Sequence, residues 1–253
     1  MRVAKGLIGG FVLFLLLEAL TRAELVDSRY LPPASAVLVT TAGLLVDPAF
    51  LGQVAGTLRA WAVGLAIAMA VAIPIGVVLG SSRRSYLASI TAIEFLRPIP
   101  SVALIPLAIL LLGRGLEMKA ALVVYASMWP ILFNTIYGMR EVDPVARDTA
   151  RVFGYGPMAV LWRVSIPSAA PFIYTGVRIA AAIALILAIS TELIAGGSDG
   201  IGTWMLSMSQ TGVDRQFLYA GIVVTGLIGL AINFVLVALE GRLFAWHRGI
   251  RST

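Results

Sequence analysis

A chain of 253 residues that is 59% hydrophobic and only 13% charged lacks the polar surface to enclose a soluble globule, where charged residues make up roughly 25%. Its natural solvent is the bilayer. With no cysteine and His247 as sole histidine, disulfides, thiolate nucleophiles and His/Cys metal cages are excluded together. The formal charge of +6 comes from basic residues scattered through short connections between apolar runs, a pattern of membrane topology rather than nucleic-acid binding.

Apolar runs of about 20 residues, the length that crosses a hydrocarbon core, fall at 4–20, 58–80, 88–112, 119–138, 172–195 and 218–240. The expected class is all-α and polytopic, with six transmembrane helices in a single permease-like membrane domain over 1–253. The first run, preceded by Arg2 and Lys5, is expected to be a retained anchor, because Ala19-Leu20-Thr21 is a poor signal-peptide cleavage site. Residues 22–57, with Leu31-Pro32-Pro33 and Asp47-Pro48, read as an ordered external segment lying across the membrane surface.

In the third run Arg97 is followed by Pro98 and Pro100, which remove backbone donors and disfavour helix just before them. A break at membrane depth is tolerated where it lines a cavity or packs on protein. Residues 97–106 are therefore candidates for pathway lining, with packing as the alternative. Glu94 and Arg97, three apart on one helical face, either neutralise one another or face a solute.

Between the fourth and fifth runs, residues 139–171 make a long connection. Asp143-Pro144 has the chemistry of a helix start, Asp143 and Arg147 are spaced for an i,i+4 pair, and Gly154 suits a left-handed cap. Gly156-Pro157 is expected to restart a second short helix through Trp162. Such a hairpin is either a knob that another protein pushes or a plain interfacial connector.

In the fifth run, Arg178 is expected to snorkel. Glu192 precedes Gly196-Gly197-Ser198-Asp199-Gly200, read as a loop flexible enough to gate or to meet a binding protein. Gly64, Gly76, Gly226 and Gly229 are expected at close helix contacts. With the N-terminus inside, the inner side carries Arg2, Lys5, Arg83, Arg84, Arg140, Arg147, Arg151, Arg163, Arg242, Arg248 and Arg251, and the outer side Arg22, Arg29, Arg59, Arg114, Lys119 and Arg215. That excess places both termini in the cytoplasm.

From Asp148 the chain reads Asp148-Thr149-Ala150, three residues, Gly154, nine residues, Val164-Ser165-Ile166-Pro167. The spacing resembles the EAA motif of ABC importer permeases (EAA, three residues, G, nine residues, I-x-L-P). Ala150, Gly154 and Pro167 match outright, while Asp148, Thr149, Val164 and Ile166 are substitutions close in size or charge. Arg97-Pro98-Ile99-Pro100, Leu104-Ile105-Pro106-Leu107, Gly138-Met139-Arg140-Glu141-Val142-Asp143-Pro144 and Thr191-Glu192-Leu193 are similar to segments of the nitrate, sulfonate, taurine and bicarbonate branch.

The resemblance, over about residues 55–240, implies a type I importer permease of the bacterial inner membrane. It would be a homodimer working with cytoplasmic ATP-binding subunits and a periplasmic substrate-binding protein. Residues 141–166 would hold the coupling helix, with Asp148, Thr149, Ala150, Gly154, Tyr155, Gly156, Val164, Ile166 and Pro167 contributing. Catalytic residues and cofactors are expected to be absent here, ATP and Mg being bound by the partner; no G-x-x-x-x-G-K-[ST] phosphate cradle is present. The pathway candidates are Glu94, Arg97, Pro98, Pro100, Arg178 and Glu192, and the expected solute is a small anion such as a sulfonate, taurine, nitrate or bicarbonate. A secondary carrier would call for internal repeats, which are not evident, and a membrane enzyme for an acid, base or nucleophile that this composition scarcely supplies.

Overall fold

In lipid every backbone N–H and C=O must be satisfied within its own segment, so apolar runs fold as helices. The computed structural model describes residues 2–23, 25–27, 30–211 and 215–244, except for the side chains of 2–8, 10 and 13. His247, Arg248, Arg251 and Arg29 lie outside the described residues. Helix α1 (Arg2–Arg22) covers the first run and is followed by the short α2 (Ala34–Leu44). Helix α3 (Pro48–Ser81) starts ten residues before the second run, because the Asp47 side chain accepts from Ala49 N–H at 3.0 Å and Pro48 occupies the first turn. The latter part of the segment expected to lie across the surface is thus helical.

The third run is not one straight span. Helix α4 (Arg83–Leu96) ends at the prolines, a 3₁₀ turn follows over Ser101–Leu104, and α5 (Ile105–Leu112) leaves at a 74° bend. Helix α6 (Leu116–Arg140) then crosses the molecule, with Lys119 inside it rather than in an external connection.

Helix α7 (Pro144–Val152) is the short helix expected after Asp143. The second member of the hairpin differs from expectation. It begins at Pro157 as α8 (Pro157–Val160) but does not stop at Trp162; it passes through a π turn (Leu161–Ser165) into α9 (Ile166–Ala195), one helical unit of 39 residues. Pro167 explains the π turn, since it cannot donate to the Arg163 carbonyl and its ring collides with it, so the turn widens. Helices α10 (Ile201–Gln210) and α11 (Gln216–Leu243) complete the chain. Among the described residues, four helices are long and apolar enough to cross a membrane, or five if the bent pair counts as one. The expected six is not reproduced as six uninterrupted apolar helices.

Helices α3, α6 and α9 form the centre, joined by Leu65, Ala68, Ala72, Ile131, Leu132, Ile136, Ala180 and Ala181. Lipid tails are as apolar as leucine, so close backbone packing rather than a hydrophobic drive associates these helices. A Cβ on Gly64 would lie 2.5 Å from Val123 Cγ1, and one on Gly76 would lie 2.6 Å from Thr135 Cβ; both behave as expected. Gly226 has open space around it, and Gly229 meets only Leu185 at 3.5 Å, so neither marks a tight crossing. Trp61 Nε1 donates to the Ala181 carbonyl at 2.9 Å and ties α3 to α9.

Candidate functional site

At the hairpin end, Asp143 caps α7 by accepting from Val145 N–H at 2.9 Å. The expected Asp143–Arg147 pair does not form; Arg147 donates to the Met139 carbonyl instead and holds α7 to the end of α6. Asp148 pairs with Arg151 at 2.9 Å on an open surface, a contact worth little in water.

Gly154, at φ +84°, closes α7. Its N–H donates to the Arg151 carbonyl at 2.9 Å, and Tyr155 N–H reaches the Ala150 carbonyl at 3.1 Å, the two bonds of a Schellman motif. Nothing lies within 4 Å of where a Cβ would sit, so glycine is required by the backbone conformation and not by space. The residues of the motif then divide by role. Ala150 is buried, while Val164 and Ile166 pack with Met139, Val142 and Ala169 and hold the hairpin to the bundle. Asp148, Thr149, Tyr155, Gly156 and Pro167 face outward. Beside them stand Val152 and Phe153, 86% and 78% exposed, with Val145, Met158 and Trp162 also exposed. Exposed apolar side chains rimming such a turn are of the kind that meet another protein or the membrane surface.

The second candidate region is the break between α4 and α5. Pro98 and Pro100 cannot serve the carbonyls of Glu94 and Leu96, and Tyr125 Oη donates to the Leu96 carbonyl at 2.6 Å. The Arg97 guanidinium stacks 4.7 Å from the Phe133 ring centroid. Tyr125 and Phe133 bracket the middle of α6, so the break lies halfway through the helical layer. Glu94, Arg97, Pro98 and Pro100 are all exposed on this chain, and the expected Glu94–Arg97 ion pair is not formed.

The other two pathway candidates lie elsewhere. Arg178 does not snorkel to water alone; its Nη1 binds Glu240 Oε2 of α11 at 2.6 Å. Glu192 is fully buried and anchors a polar clamp. Lys119 Nζ, 1% exposed as a residue, stands 3.2 Å from Glu192 Oε1 and 3.2 Å from Asp199 Oδ1. Thr57 Oγ1 donates to Glu192 Oε2 at 2.8 Å and accepts from Ile201 N–H at 2.8 Å, while Gly202 N–H donates to Glu192 Oε2 at 3.0 Å. Gln53 Oε1 accepts from Gly200 N–H at 2.8 Å.

The glycine-rich loop is therefore fastened to α3, α6 and α9, and not loose as its composition suggests. Gly200 sits at φ +122°, and a Cβ there would meet the Glu192 carboxylate at 2.2 Å. Sequence reasoning missed Lys119, Thr57 and Gln53. The available signal was a lone lysine inside an apolar run facing a lone glutamate in another. Among the described residues no group of His, Cys, Asp and Glu forms a metal site.

Known proteins share this fold and much of this sequence. The family model described as the binding-protein-dependent transport system inner membrane component matches residues 72–245, and the chain belongs to that family. A putative ABC transporter permease protein from Methanocaldococcus jannaschii is 31% identical over 230 residues, covering 90% of this chain and 83% of the relative. The taurine transport system permease protein TauC of Escherichia coli is 31% identical over 231 residues, 88% of this chain and 82% of its own length. Among solved structures, a chain from an inward-facing MetNI methionine ABC transporter superposes with a TM-score of 0.67 at 17% identity, over 78% of this chain and 98% of that one. The fold is that of a type I ABC importer permease, and the chain is a multi-pass permease component, not an enzyme.

Proposed function

We propose that this permease passes a small anion, such as a sulfonate, taurine, nitrate or bicarbonate, across the bacterial inner membrane. Partner ATP-binding subunits that hold ATP and Mg supply the drive. The chain acts as one domain over 1–253, paired with a second copy as a homodimer, fed by a periplasmic binding protein and with both termini in the cytoplasm. Residues 141–166 seat on the ATPase. The observation that carries this reading is the rim of Val152 and Phe153, 86% and 78% exposed, presented by a turn that the Gly154 cap makes rigid. A solute that carries an oxoanion group is supported by the name of the taurine relative, taurine bearing an ionised sulfonate, and by the likeness of the flanking segments.

The test is affinity capture of the full chain from membranes co-expressing its transport partners, with Gly154→Ala and Gly154→Asn beside the wild type. Alanine at a left-handed position costs about 1–2 kcal/mol, whereas asparagine visits that region readily. Gly154→Ala is expected to lower ATPase recovery several-fold and Gly154→Asn to restore most of it. Undiminished recovery after replacing the whole rim with serine would refute the coupling assignment. Solute uptake by the chain without any ATPase would point to a secondary carrier.

A further inference from the structure

We infer that Arg97 is the group an anionic solute meets midway along its path, a deepening that rests on the importer reading above. Depth comes first. Leu96 is tied to Tyr125 and Arg97 stacks on Phe133, and those two aromatics flank the centre of α6, so the guanidinium sits near the middle of the layer. An arginine at that depth costs about 2.5–3.5 kcal/mol if left to lipid, so an exposed one must face water, a solute or protein.

Charge comes second. Among the described residues, Arg97 has neither an ion pair nor a hydrogen-bond acceptor for its guanidinium; its contact is the Phe133 face. A ring quadrupole orients a cation without cancelling its charge, whereas a carboxylate would cancel it. By contrast Arg178 is neutralised by Glu240 and Lys119 by Glu192 and Asp199. The break also presents fewer bare acceptors, because the Leu96 carbonyl that Pro100 cannot serve is already taken by Tyr125. What remains is a planar fork of N–H donors suited to two oxygens of an oxoanion such as a sulfonate or nitrate. Glu94 lies one turn back, exposed and without a partner among the described residues. It defines the competing arrangement, in which Arg97 of one copy is neutralised by Glu94 of the other.

The chain has no cysteine, so Val102→Cys, at a position 45% exposed on the turn after the break, introduces a single thiol. In proteoliposomes carrying the assembled transporter, its reaction rates with anionic sulfonatoethyl and cationic trimethylammonioethyl methanethiosulfonate are compared in four backgrounds: wild type, Arg97→Gln, Arg97→Lys and Glu94→Gln. A positive, water-filled path predicts that the anionic-to-cationic rate ratio falls on the order of tenfold in Arg97→Gln. Arg97→Lys is expected to keep it, and Glu94→Gln, which removes a negative charge one turn away, to raise it. Absence of reaction with either reagent, a ratio indifferent to Arg97→Gln, or a ratio that emerges only in Glu94→Gln overturns the assignment. Recovery of the ATPase is scored on the same preparations, so loss of coupling with the ratio intact counts against the importer reading alone.

Discussion

Lys119 shows how this chain carries charge in its interior. Its ammonium is enclosed by Glu192, the Asp199 side chain and the Asp199 carbonyl, and Glu192 is completed by Thr57 and Gly202. Breaking a buried pair from one side is more damaging than replacing both partners, because the survivor keeps its desolvation penalty. Lys119→Met is therefore expected to destabilise by about 3–5 kcal/mol, and the double variant Lys119→Met with Glu192→Gln by markedly less. Thermal unfolding in detergent of the four members of the cycle measures this; additive losses would mean that the two side chains do not act as a pair.

From the sequence, each of these residues carried a local meaning only. Glu192 stood out because it interrupts an apolar run, but its partners lie 73 and 135 positions away, a separation that periodicity does not encode. Composition misled at the loop after it, where Gly196-Gly197-Ser198-Asp199-Gly200 read as freedom. The missing side chain of Gly200 instead lets the backbone close onto the Glu192 carboxylate. Gly154 was legible because a helix cap is a short-range device with a fixed spacing.

Among elements, the readable features were again local. Asp143-Pro144 identified the start of α7, and the same dipeptide chemistry at Asp47-Pro48 starts α3; a surface segment was expected there because Asp47-Pro48 was read together with Leu31-Pro32-Pro33 as part of an external connection. The end of the hairpin was misread because Gly156-Pro157 gives a start signal without a stop. The π turn that carries α8 into α9 is a response to Pro167 that a pattern of apolar spacing does not show. The crossing of α3 and α6 was visible in Gly64 and Gly76. Gly76→Val would drive a branched side chain into Thr135, where even a Cβ comes within 2.6 Å, and is expected to cost about 1–3 kcal/mol by overpacking. Gly226→Val, in open space, should cost almost nothing. Equal shifts in melting temperature for the two would show that the α3–α6 contact is looser than described.

For the molecule as a whole, the proline break and the hairpin are separate regions, and damage to them should separate as well. Replacing Pro98 and Pro100 together with alanine restores donors to the Glu94 and Leu96 carbonyls and favours a straighter α4–α5. Uptake by the reconstituted transporter is expected to fall at least several-fold while ATPase recovery stays normal. The reverse pattern, uptake retained with the ATPase lost, would exchange the roles of the two regions.

The 39 residues from Pro157 to Ala195 run about 58 Å at the helical rise, leaving the hairpin at one end and reaching Glu192 in the clamp at the other. A stiff helix passes motion along its axis, so the exposed rim and the glycine loop sit on opposite ends of one connecting rod. Its built-in compliance is the widened turn at Leu161–Ser165, set next to the hairpin and far from the clamp, so a thrust on the proposed coupling surface would meet the soft turn before it reached the fastened loop.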